Sequence, residues 1–222
     1  MGRCADAIRG AMAMVGDPYE VLVVDDASTD ATGEVARQHG AEVIRVEHRQ
    51  ISATRNAGAR MAHGEILFFV DADTLVDAPV IRSALHSLRE GAVGGGSIPR
   101  FDGWTPLWFR LVYPCLVGGM RLLRFSPSGA CLFCTNSAFK AAGGFDEIYY
   151  AAEDALFAAA LRRQGRFVVI AEQVVTSGRK LRDHSFLSLA GMLMRLFFRG
   201  SSGLRDRRGL DYWYAPARGK TK

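Results

Sequence analysis

Gly64-Glu65-Ile66-Leu67-Phe68-Phe69-Val70-Asp71-Ala72-Asp73 is the stretch on which the reading of the whole chain turns. Its run of apolar residues, rich in β-branched and aromatic types, predicts a strand buried on both faces, the habit of a parallel sheet flanked by helices. Two carboxylates follow at once. Side chains at i and i+2 of an extended chain point the same way, so Asp71 and Asp73 aim at one point beyond the strand's carboxyl end. Open α/β sheets bind their ligands there. Paired hard oxygen donors suit Mg²⁺ or Mn²⁺, whose usual companion is a phosphate oxygen. Asp-x-Asp also occurs as a plain polar turn, so the flanking sequence has to decide.

Upstream, residues 52–63 read as a helix capped by Ser52, residues 42–46 as a strand, and residues 31–39 as a helix capped by Thr29 or Asp30 and closed by Gly40. Residues 19–24 form a strand that runs into Asp25-Asp26-Ala27-Ser28-Thr29-Asp30, a second set of carboxylates at a strand end. Ile8, Ala11, Met12 and Val15 share one face of an opening helix over 4–15. Downstream, Asp77-Ala78-Pro79 starts a helix that reaches about Arg89, and the glycine-rich 91–96 reads as a loop or short strand edge. A strand over 130–135, a helix over 137–142, the turn Gly143-Gly144-Phe145-Asp146-Glu147, a helix from Glu153 to Gln164 and a strand over 166–171 complete the series. Alternating strands and helices predict a doubly wound α/β domain with a mixed, mostly parallel sheet. The domain covers residues 1–182, and 183–222 form an amphipathic helix with a basic, aromatic tail.

The 222 residues, 49% of them hydrophobic, suffice for one well-buried domain. Net charge is +5, and arginine supplies all but four of the 28 cations, which favours bidentate phosphate or carboxylate contacts. Four cysteines are too few for a disulfide framework and fit a reducing cytosol. Cys131 and Cys134 lie three apart in a predicted strand, which sends their sulfurs to opposite faces and argues for a structural role. Residues 104–125 mix aromatics with arginines and are too interrupted to span a bilayer. Residues 185–199 carry an apolar helical face that suits a membrane surface or a closing helix equally. Arg205, Arg207 and Arg208 with Tyr212-Trp213-Tyr214 suit lipid headgroups or a solvated terminus.

Val23–Thr32, Arg55-Asn56-Ala57-Gly58, Gly64-Glu65 with Val70–Asp73, Gly143–Glu147, and Glu153-Asp154 with Leu161–Gly165 together resemble, in order and spacing, the inverting family 2 glycosyltransferases of GT-A fold. The resemblance implies a nucleotide-diphosphate sugar donor, a divalent cation (Mg²⁺ or Mn²⁺) and direct transfer with inversion. By resemblance Asp26 contacts the base or ribose, Asp25 supports that loop, Arg55 lies near the diphosphate and Asn56 anchors a loop. Asp71 and Asp73 match the metal motif, Asp154 matches the catalytic base, and Glu153 supports it. His184 is offered as a further metal ligand and Arg179 as a late phosphate contact. An aspartate of ordinary pKa, about 3.9, is ready to accept a proton at neutral pH. The implied partners are the donor and a lipid-linked or membrane-proximal acceptor, with no nucleic acid, for a cytoplasmic protein peripheral to the inner membrane face.

Members of this family normally open with a strand and a Pro-x-x-Asn-Glu segment ahead of the helix that begins this chain, and that segment is absent here. The expectation is unpaired edges on the neighbouring strands, an open groove, and weak or no activity for these 222 residues by themselves. The favoured explanation is a misplaced start or a fragment; a compensating strand and loss of catalysis are the others. Rival readings are a non-catalytic sugar-nucleotide or membrane-surface binding module, a response-regulator receiver, and a Rossmann dehydrogenase. The receiver lacks its lysine between Asp73 and Phe139, and the dehydrogenase lacks Gly-x-Gly-x-x-Gly.

Overall fold

The computed structural model describes residues 1–122, 130–183, 191, 203–208, 210 and 214. Helix α1, Gly2–Val15, ends on Gly16, whose φ of 86° is the left-handed conformation that glycine adopts without steric cost. Strand β1, Leu22–Asp26, helix α2, Thr32–Gln38, and strand β2, Glu42–Val46, make a parallel strand-helix-strand unit. Helix α3, Ile51–Met61, leads to β3, Ile66–Val70, and α4, Ala78–Arg89, in which Asp77 accepts the Val80 amide at 3.1 Å and Pro79 occupies the first turn. There follow β4, Ala92–Phe101, α5, Leu107–Leu122, β5, Cys131–Thr135, α6, Asn136–Ala142, α7, Glu153–Gln164, β6, Arg166–Thr176, and α8, Arg179–Asp183.

The strands form a pair, β1-β2, and a four-stranded sheet of order β3-β5-β4-β6. β5 runs antiparallel to both its neighbours and β4 runs parallel to β6, so the α/β fold has mixed pairing. One face of the larger sheet buries Cys131 and Phe133 with Val80, Ile81, Ala84 and Ala11 from α4 and α1. The other face buries Leu132 and Cys134 with Phe139, Phe157 and Leu161 from α6 and α7. The two cysteines thus lie on opposite faces, as their offset of three requires. Phe69, Phe139, Phe145 and Phe157 form one ring cluster, with Phe145 and Phe157 centroids 4.1 Å apart. Each fully buried Phe contributes about 1.5–3 kcal/mol, so the loop that carries Phe145 is held firmly against the sheet.

Three local expectations are corrected. Of the two readings of residues 91–96, loop or short strand edge, strand holds from Ala92 onward, but β4 is long and interior, flanked on both sides. Strand β6 runs to Thr176 rather than 171, with a register shift against β4 at Ser97/Ile98. Ser52 does not cap α3; Gln50 is the N-cap, and Ser52 is fully buried in the first turn. His184 and, apart from residue 191, the predicted helix over 185–199 lie outside the described residues. Within the aromatic segment α5 contains Pro114, and among the described residues no helix is long and apolar enough to cross a membrane.

β1 and β3 belong to separate sheets, and contacts beyond their ends tie them together. At their amino ends the Glu20 carboxylate accepts the His63 and Gly64 amides at 2.7 and 3.0 Å, and at their carboxyl ends consecutive residues Thr54 and Arg55 reach Asp26 and Asp71. Among the described residues β1 pairs only with β2 and β3 only with β5, so within them each keeps one unpaired edge.

Candidate functional site

Strand β3 ends at Val70, and the chain turns at once: the Thr74 amide donates to the Asp71 carbonyl at 2.9 Å. Asp71 and Asp73 therefore stand on a tight turn rather than an extended strand, and the i, i+2 argument does not describe them. Other contacts shape this turn. Leu75 bridges to Val175, and the Thr74 hydroxyl donates to that of Thr176 at 3.0 Å, which in turn donates to Asp73 at 3.4 Å. Cys4, buried on α1, donates its thiol to the Asp71 carbonyl at 3.7 Å. Burial, with help from Asp73 and Asp71, pushes that thiol up to about 11, so it remains a donor at neutral pH.

Arg55, on the first turns of α3, joins this turn to the start of α7. Its guanidinium donates to Asp71 at 3.0 Å and to Glu153 at 3.2 Å, and its Cζ lies 5.3 Å from the centre of the Phe145 ring. The Arg55 and Glu153 side chains are 12% and 10% exposed, whereas Asp71 keeps 46%, so the bridge has one buried end and one facing solvent. Burial works against the charge on Arg55, but Asp71, Glu153 and Asp154 outweigh it and its pKa is raised. Asp154 is the next residue on α7, half-buried, with its Oδ1 accepting the Ala155 amide at 2.8 Å. Acids from a strand end and a helix start, about 80 residues apart in the chain, thus share one guanidinium.

The nucleoside-side candidates are turned largely inward. Asp25 is 5% exposed and accepts the Ser28 amide at 3.2 Å. Asp26 accepts the Arg49 and Gln50 amides at 2.7 and 3.1 Å and the Thr54 hydroxyl at 2.7 Å, which supplies the start of α3 with the cap that sequence assigned to Ser52. Asn56 is buried, donates to the Phe145 carbonyl and the Glu147 carboxylate, both at 2.8 Å, and accepts the Phe145 amide at 2.9 Å, a fully paired anchor for that loop. Arg179 is exposed at the start of α8, three residues beyond Thr176. No group of three or more metal-ligating side chains occurs among the described residues.

Ala27, Arg49 and Ala152 are the non-glycine residues with positive φ among those described, at 56°, 50° and 61°. Each such residue costs about 1–3 kcal/mol and persists where surrounding contacts impose it, commonly at functional sites. Here they follow Asp26, precede α3 and precede α7, so all three border the same rim. The roles of Thr74, Thr176, Gln50 and the tail residues in holding this rim escaped the sequence reading. Their contacts join residues as far apart as Thr74 and Thr176, and no local pattern marks them.

The fold is that of the GT-A glycosyltransferases. A mannosyltransferase from Pyrobaculum calidifontis, solved with GDP-mannose and Mn²⁺, superposes with a TM-score of 0.63 at 22% identity over 91% of this chain and 61% of its own. TarS from S. aureus gives 0.58 at 18% identity over 89% and 62%. The chain belongs to glycosyl transferase family 2, whose sequence model matches residues 2–147. Among curated relatives, the glycosyltransferase AglE of Haloferax volcanii is 44% identical over 106 residues, 39% of this chain and 35% of its own. An uncharacterised glycosyltransferase of Mycobacterium tuberculosis is 32% identical over 87 residues, 39% of this chain and 40% of its own. The chain therefore spans less than half of these curated relatives.

Proposed function

We propose that the protein transfers a sugar from a nucleotide-diphosphate donor to an acceptor hydroxyl, with inversion at the anomeric carbon. The observation that carries this reading is the Arg55 bridge, which ties the Asp-x-Asp turn to the helix bearing Asp154. The donor set fits a divalent cation: Asp71 and Asp73 supply hard oxygens, and Mg²⁺ or Mn²⁺ held by one or two carboxylates takes the rest of its shell from phosphate and water. When bound, the cation would neutralise charge on the departing diphosphate. Asp73 and Asp71 would hold it; His184 is a further candidate ligand. Arg55 adds fixed positive charge on the diphosphate side, and Arg179 is the second phosphate candidate.

The acceptor oxygen attacks the anomeric carbon from the face opposite the diphosphate. As that bond forms, the bond to the diphosphate breaks and its electron pair leaves on the phosphate oxygen. Asp154 takes the acceptor's proton. Glu153, gripped by Arg55, keeps the first turn of α7 in place, so that Asp154 is aimed rather than free to swing. Asp26 and Asp25 shape the loop beside the nucleoside. The acceptor is lipid-linked or membrane-proximal: Trp104 ahead of α5 and Leu107 and Leu111 on it leave apolar surface, 68%, 67% and 69% exposed, with exposed Arg100 and Arg110 nearby in sequence.

Thermal shift with UDP-, GDP- and dTDP-sugars, with and without Mn²⁺, tests the donor half. At a hundredfold excess over Kd a true donor adds about 2.7 kcal/mol, a rise of roughly 5–10 °C in a chain of this size. Asp154→Asn should keep that shift and lower transfer by about 10²–10⁴-fold. A donor shift with no turnover, unaltered by that substitution, would instead make the protein a binding module.

A further inference from the structure

Between the turn at Glu147 and α7, residues 149–152 form a short linker whose contacts come from two distant parts of the chain. From α3 and its cap, Gln50 Nε2 and Ser52 Oγ donate to the Tyr149 carbonyl, both at 3.4 Å. The C-terminal tail supplies further contacts. The Tyr150 amide donates to the Leu204 carbonyl at 2.8 Å, and the Tyr214 hydroxyl donates to the Tyr150 carbonyl at 2.9 Å. Both backbone polar groups of Tyr150 are thus satisfied by the tail. Arg205 donates to the Tyr149 hydroxyl at 3.1 Å with its guanidinium 5.1 Å from that ring, and the Tyr150 and Tyr214 rings meet edge to face at 6.0 Å.

The tail is seated rather than draped. Leu210 is 1% exposed, Gly203 is buried, and the Tyr214 amide closes back on the Leu210 carbonyl at 3.2 Å. The Arg207 guanidinium lies 5.0 Å from the Tyr214 ring. Tyr214 is thus half-buried against the linker, while Arg205 stays exposed with its guanidinium over the Tyr149 ring. Immediately after the clamped residue come buried Ala151 and then Ala152, whose left-handed φ of 61° sets the direction in which α7 starts. α7 has no side-chain cap at that end, so its entry angle depends on what grips the linker.

We propose that Tyr214, with Leu204 and Arg205, is a positioning element for the base: by pinning Tyr150 on both sides the tail fixes the turn at Ala152 and hence the aim of Asp154. This rests on the reading of Asp154 as base. Tyr214 touches no reacting atom; it acts through the linker, and its hydroxyl also meets the Ile51 backbone at the start of α3.

Tyr214→Phe removes one hydroxyl and keeps the ring, and Arg205→Gln loosens the neighbouring contact without touching Tyr150. Amide exchange, which needs no turnover, should quicken at least about tenfold over residues 149–156 in Tyr214→Phe and leave β3 and β5 peptides unchanged. Mn²⁺-dependent hydrolysis of the donor found by thermal shift should lose about tenfold in kcat with its KM unchanged, and Arg205→Gln should lose less on both readouts. Exchange equal to the parent's, or a matching loss of donor affinity, overturns the proposal. If Asp154→Asn leaves turnover intact while Tyr214→Phe frees the linker, the assignment of the base falls and the clamp on the linker stands.

Discussion

Arg55 holds one carboxylate that faces solvent and one that does not, and the two ends respond differently to its removal. Arg55→Met leaves Glu153 buried without its counter-ion, and breaking a buried pair from one side costs about 3–5 kcal/mol. The urea midpoint should fall accordingly. Arg55→Lys should recover only part of the loss, because a single ammonium cannot fork between Asp71 and Glu153 as the guanidinium does. Equal midpoints for the Met and Lys variants would show that packing against Phe145, not the bridge, is what Arg55 supplies. At this scale residue type was legible: Asp71, Asp73, Arg55 and Asp154 stand out by kind and spacing. The inward turn of Asp26 was not, because the Arg49 amide, the Gln50 amide and the Thr54 hydroxyl that occupy it belong to a different element.

The elements show why a glycine-rich run misled the reading of β4. A Cβ on Gly95 would sit 2.5 Å from the Phe133 ring and 2.5 Å from the Val168 carbonyl, so the run marks close approach of strands rather than a loop. Gly95→Ala should destabilise the fold by about 1–3 kcal/mol or more through overpacking, read as a lowered urea midpoint. The unpaired edges make a second prediction. The bonds from Glu42 to the Val21 carbonyl and from Ala27 to the Val46 carbonyl turn odd-numbered residues of β1 toward β2, and the Asn136 and Asp71 bonds do the same for β3 toward β5. Amides of Val24, Phe68 and Val70 should therefore exchange faster than those of Val23, Leu67 and Phe69, measured by NMR. Protection of both sets would mean that something fills the seam. The amino ends of these strands are tied through Glu20. Burial pulls its pKa up, but hydrogen bonds from His63 and Gly64 prevail and hold it below the usual carboxylate value. A depressed carboxylate stabilises fully above its unfolded pKa and less as pH falls through the folded one. Exchange at Gly64 should accordingly quicken on acidification, and Glu20→Gln should abolish that acid sensitivity.

For the molecule as a whole, a net charge of +5 and exposed apolar surface on α5 argue for an anionic surface as the place where the acceptor is met. Co-sedimentation with anionic vesicles at low salt should be detectable, weaken as salt screens the arginines, and drop on Leu111→Asp. No binding at low salt would remove the membrane from the proposal. Separated motifs along the sequence were enough to determine the α/β class, the family and the residue types at the strand ends, because periodicity and turn chemistry are local properties written in consecutive residues. Which groups meet was decided by tertiary structure alone. Arg55 joining Asp71 to Glu153, the Thr74–Thr176–Asp73 hydroxyl chain, the split of the strands into two sheets, and the tail closing on Tyr150 all join residues distant in the chain. Contacts of that kind have no period to read; they exist only once the packed core has brought the ends of its elements together.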